Sequence, residues 1–71
     1  MNTKVMVARK ERRLTQEALA ADIGINQADL VRIERHGWIP PKDIRQRLAV
    51  ALASPEEELF GSIPVVASDP L

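Results

Sequence analysis

Leu14-Thr15-Gln16-Glu17-Ala18-Leu19-Ala20-Ala21-Asp22-Ile23-Gly24-Ile25-Asn26-Gln27-Ala28-Asp29-Leu30-Val31-Arg32-Ile33-Glu34-Arg35-His36-Gly37 is the stretch that decides the fold. It predicts two short helices with a tight turn between them. Thr15 suits the N-cap of a helix over 16–23, because its hydroxyl accepts from an N–H that the helix leaves unpaired. Glu17 stands in the first turn, where the helix dipole favours negative charge. Leu19, Ala20 and Ile23 form an apolar stripe, and Gly24 suits the left-handed position that ends a helix. Asn26 caps a second helix over 27–35. Asp29, three residues on, resembles a capping box with Asp in place of Glu or Gln. Leu30 and Ile33 supply the inward face, Arg35 and His36 the C-terminal end, and Gly37 the stop.

Ala20 is small where two helices must cross closely, Gly24 permits a positive φ, and Ile25 covers the small core from the turn. Together these features describe a helix-turn-helix, whose second helix fits a major groove about 12 Å wide. Outward from it, Val5, Ala8 and Arg9 recur at helical spacing and predict a first helix over 3–13. Gly37-Trp38-Ile39-Pro40-Pro41 reads as a stiff loop. A fourth helix is expected from Pro41 to Ala53, buried through Ile44, Leu48, Ala51 and Leu52. Ser54-Pro55-Glu56-Glu57 reads as a helix start with Ser as cap and Pro at the first position. The fifth helix then runs to Phe60 and stops at Gly61. The expectation is an all-α, five-helix domain over 1–61 and a tail over 62–71, where Pro64 and Pro70 oppose a helix. Ile63, Val65 and Val66 make that tail a candidate packing arm or linker. No segment shows strand alternation bounded by hairpin signals.

At 71 residues the chain is one domain, of a size that buries only about 60% of its unfolded surface. There is no Cys and one His, so a structural zinc site is not expected, and no metal or cofactor is read. The single His has no nucleophile at a set spacing and no Gly-rich phosphate loop occurs, so an enzyme is not expected. Glu56-Glu57-Glu58 reads as helix-start charge. No apolar run approaches the roughly 20 residues of a membrane span. Residues 1–13 are polar and basic, unlike a signal peptide. These readings predict a cytoplasmic protein that neither enters a membrane nor carries an evident small-molecule ligand. The formal net charge is zero, but its distribution is uneven: five basic and one acidic residue over 1–13, four acidic and no basic over 54–71. A basic body with an acidic tail fits contact with nucleic acid better than the total does, although an ordinary solvated surface gives the same pattern.

The central stretch resembles the lambda-repressor and Cro family of bacterial and phage regulators, also called the xenobiotic-response-element family. The matching pattern is L-T-Q-E-x-L-A-x-x-I-G-I-x-Q-x-x-L-x-R-I-E-R-x-G, and the likeness extends from Val5 to Leu59. The resemblance implies a nucleoid-associated transcriptional regulator, in the usual case a repressor, that binds double-stranded DNA as a homodimer on a palindromic operator. It implies that Gln16 contacts a phosphate and that Gln27, Ala28 and Arg32 take base-reading positions. The chemistry is compatible: Gln can bond adenine N6 and N7, Arg can bond guanine O6 and N7, and Ala can meet a thymine methyl. It further implies that Arg9 and Glu34 form an inward salt bridge, with Arg9 also able to reach a phosphate. Dimerisation would use Leu59, Phe60 and the tail residues Ile63, Val65 and Val66.

Asp29 departs from the family, which has Ser or Thr there. Its carboxylate would repel phosphates; it either accepts from cytosine N4 or only caps the helix. Val31, apolar on the outer side, could touch a thymine methyl or a protein. Arg35, Lys42 and Arg45 are candidates for phosphate contact, the last two in the first turns of the fourth helix, where free N–H groups also favour an anion. His36 reads as a surface helix-end residue and Trp38 as a loop anchor against the core. The rival reading is a protein-interaction module on the same fold, an antitoxin or co-regulator with weak DNA binding; Asp29, the zero net charge and the apolar tail favour it.

Overall fold

Every helix contributes to one apolar core. The computed structural model describes residues 2–61, and these form α1 (Thr3–Glu11), α2 (Gln16–Ile23), α3 (Gln27–His36), α4 (Lys42–Ala51) and α5 (Glu56–Phe60). Among the described residues there is no strand. Val5 of α1, Leu19, Ala20 and Ile23 of α2, Leu30 and Ile33 of α3, Leu48 and Leu52 at α4, and Leu59 of α5 are buried together. Helix α2 packs on α3 and α4, α1 on α3 and α5, and α4 on α5. Ile25, Trp38, Ile44 and Ala51 lie partly buried against this core.

Caps set the boundaries. Asn2 Oδ1 accepts from Val5 N–H at 3.1 Å, Thr15 Oγ1 from Ala18 N–H at 3.0 Å and Asn26 Oδ1 from Asp29 N–H at 2.9 Å. Each pairs one N–H that the first turn would otherwise leave open. Between α2 and α3, Gly24 sits at φ 78°. The Ile25 N–H then donates to Ala20 O at 3.0 Å, closing the helix end in three residues.

Two helices stop before the sequence predicts. Arg13, at φ 57°, and Ala53, at φ 49°, take the left-handed conformation without being glycine. Leu14 N–H reaches back to Arg9 O at 3.1 Å, and Ser54 N–H to Ala49 O at 3.0 Å. So α1 ends at Glu11 rather than Arg13, and α4 at Ala51 rather than Ala53. The expected role of Ser54 is also corrected. Its hydroxyl donates to Leu52 O at 3.2 Å instead of capping, and Pro55 occupies the N-cap with no side-chain bond. A left-handed L-residue carries a steric penalty of about 1–2 kcal/mol, partly offset in glycine by its larger unfolded-state entropy. Ala53→Gly should therefore stabilise the domain by about 0.5–1 kcal/mol. A thermal melt should rise by about 2–6 °C; an unchanged or lowered midpoint contradicts the assignment.

Candidate nucleic-acid interface

The site is built on a buried carboxylate. Glu34, on the inner face of α3, has no solvent exposure, and Arg9 of α1 retains 8%. Arg9 Nε donates to Glu34 Oε2 at 2.7 Å and Nη2 to Oε1 at 3.1 Å, a bidentate fork. Arg9 Nη1 donates to Leu14 O at 2.8 Å. Gln16 Nε2, at the start of α2, donates to Glu34 Oε1 at 3.1 Å, and the Asn2 N–H donates to Glu34 O at 2.9 Å. One glutamate thus ties together the starts of α1 and α2 and the body of α3. Among the described residues no buried side-chain polar atom lacks a partner.

Above this floor lies an open concavity of about 380 Å³, lined by Lys10, Thr15, Gln16, Glu17, Gln27 and Arg35 as well as Arg9 and Glu34. The Glu34 charge is matched by Arg9, so the remaining rim holds two cations, one anion and two amides. The first turn of α2, with its partial positive charge, opens onto the same space. Gln16 uses one amide N–H on Glu34 and retains a second. Gln27, which lines the concavity, is exposed on α3 together with Ala28 and Arg32, at i, i+1 and i+5. Val31 is half-buried.

The Asp29 carboxylate does not complete the expected capping box. The Asn26 side chain caps α3, but the Asn26 N–H does not donate back to Asp29. Instead Asp29 Oδ1 lies 3.6 Å from Arg32 Nη1. Trp38 also approaches this arginine, with Arg32 Cζ 4.4 Å from the ring centroid. Nothing in the spacing of 29, 32 and 38 marked this grouping in advance; only the turn at Gly37 brings Trp38 back onto α3.

The arginines divide into two sets. Arg9 is held by Glu34 and Leu14, which leaves its guanidinium little to offer a phosphate. Arg45 donates Nε to Glu56 Oε1 at 2.8 Å and Nη1 to Pro40 O at 2.7 Å, so it fastens α4 to α5 and to the preceding loop. Arg12, through Nε and Nη2, donates to Leu52 O at 3.1 and 2.8 Å, and Arg47 Nη1 donates to Ile23 O at 3.2 Å. Sequence reading missed both as fasteners of helix ends, although Arg near a terminal carbonyl is a known satisfier. Arg35 and Lys42 are exposed and, among the described residues, make no ion pair or side-chain hydrogen bond. His36 is exposed as the last residue of α3.

Leu59 is corrected as an interface residue: at 3% exposure it belongs to the chain's own core. Phe60 is half-buried. Ile63, Val65 and Val66 lie outside the described residues. Among the described residues no group of His, Cys, Asp or Glu could hold a metal, and no helix is long and apolar enough to cross a membrane. No protein-family model, curated protein or solved structure matches the chain.

Proposed function

We propose that this chain is a sequence-specific double-stranded DNA-binding domain of the helix-turn-helix, lambda-repressor-like kind, acting in the cytoplasm as a transcriptional regulator, in the usual case a repressor. The observation that carries the reading is the exposed row of Gln27, Ala28 and Arg32 beside a concavity rimmed by Lys10 and Arg35, whose carboxylate Arg9 neutralises. In this reading α3 enters the major groove and the row meets base edges. The second Gln16 N–H, Lys10, Arg35 and Lys42 meet phosphates, which fix register without reading sequence. One short helix reads only a few base pairs, so two copies on half-sites about one helical turn apart are expected.

Selection from a random duplex library at low salt tests this. Enrichment of a palindromic motif supports it; failure to retain any duplex overturns it. Arg32→Ala should relax the preference at one base pair, lowering discrimination there by about 1–3 kcal/mol. Equal loss on all duplexes would instead make Arg32 a phosphate contact.

One observation favours the rival, a protein-interaction module on this fold: Val50 is 81% exposed on α4. It borders a shallow, mainly apolar depression with Ile23, Arg47 and Ala51. A lone exposed valine is ordinary on a soluble domain, so the α3 row weighs more.

A further inference from the structure

Arg32 has two side-chain partners at the surface. The Asp29 carboxylate lies 3.6 Å from Nη1, and the Trp38 ring centroid lies 4.4 Å from Cζ, within cation–π range. Trp38 is itself fixed to Arg32, because its backbone N–H donates to Arg32 O at 3.1 Å. The arginine side chain is nonetheless 53% exposed. Exposed ion pairs and exposed cation–π contacts add little to stability, so fold maintenance explains this grouping poorly. Its physical effect is on conformational freedom. A free arginine has many rotamers, and a held one gives up less on engaging a partner.

We propose that Trp38 and Asp29 are positioning residues for Arg32, holding its guanidinium in the orientation that discriminates guanine at one base pair. This rests on the reading of the chain as a DNA-binding domain. The guanidinium carries five donors in a planar fork. Asp29 takes the Nη1 end and the indole takes a face, which leaves the Nη2 and Nε edge for the paired acceptors O6 and N7 of guanine. Asp29 also offsets the arginine's charge and repels phosphate. Together they bias Arg32 away from the DNA backbone and toward a neutral base edge. The carboxylate that argued against DNA contact thereby becomes part of the reading apparatus, without touching a base.

The test uses the full chain, and Trp38 is its single tryptophan. Without DNA, Arg32→Ala should alter the Trp38 emission spectrum, whereas superimposable spectra would overturn the stacking. With DNA, the base pair at which Arg32→Ala loses preference is located by selection. Affinities are then compared for duplexes carrying guanine or adenine there. Trp38→Leu and Asp29→Asn should each lower the guanine preference about threefold to tenfold, and Trp38→Phe should retain most of it. Asp29→Asn should meanwhile bind random duplex more tightly, because a negative charge near phosphates is lost; the guanine-to-adenine ratio, which that general gain leaves unchanged, is the readout of positioning. Should Trp38→Leu fail to fold, Asp29→Asn still decides the matter. Duplex binding with an unchanged guanine preference in Asp29→Asn, and in Trp38→Leu where it folds, overturns the positioning role alone. Absence of all duplex binding by the parent chain overturns the DNA reading beneath it.

Discussion

Replacing Glu34 with alanine should remove about 3–5 kcal/mol of stability, the loss expected when a buried charge is stranded by removing its partner. Arg9 would keep one bond, to the Leu14 carbonyl, and lose two, while staying beneath α3. A domain of this size has about 4–10 kcal/mol in total, so the variant should unfold at a much lower urea concentration. Arg9→Met combined with Glu34→Leu should recover most of the loss, because well-packed apolar pairs commonly match or exceed a buried ion pair. The recovered variant separates structure from site. Gln16 loses its brace, so duplex affinity should fall even where the fold is restored. A Glu34→Ala loss below about 1 kcal/mol, or no recovery in the double variant, would contradict the arrangement.

The second large effect is on salt. Three exposed cations are proposed to meet phosphates: Lys10, Arg35 and Lys42. In a dimer they neutralise about six phosphates. Counterion release then lowers affinity by about 10³ between 50 and 200 mM salt, against about fortyfold for a monomer. Binding isotherms across that range measure the slope and the number of copies engaged together. Lys42→Ala should weaken all duplexes alike and reduce the slope by about one per protomer. A slope near zero would favour the protein-interaction reading.

The ends of α2 and the start of α3 were legible in the sequence because capping chemistry marks them: Thr15, Gly24 and Asn26 are residues that do little else so well. The ends of α1 and α4 were not, because Arg13 and Ala53 adopt a glycine conformation with side chains that give no sign of it. Ser54 illustrates a different limit. A hydroxyl before Pro-Glu has two nearby uses, and the Leu52 carbonyl at the end of α4, which also accepts from Arg12, takes it. The resemblance places Leu59 at an interface, and the residue itself does not decide otherwise, because an apolar side chain on a short terminal helix carries no label for which surface it meets. The α3 row came from the resemblance, with helical spacing placing its three members on one face. The grip on Arg32 did not, because it depends on where the chain goes after Gly37. The internal use of Arg12, Arg45 and Arg47 was likewise hidden, since a charge count cannot distinguish a solvated cation from one donating to a carbonyl.

The packing of α1 on α3 and α5 also orders events during synthesis. Val5 meets Leu59 in the core, and the Asn2 N–H awaits the Glu34 carbonyl. At about 5–20 residues per second, the first helix leaves the ribosome some seconds before the last partner it packs against. Helices α2 and α3, adjacent in sequence and in space, can meet early. The element made first is therefore closed in two stages: its bonds to Glu34, which build the proposed site, need only the first 35 residues, and its packing on α5 waits for the last helix.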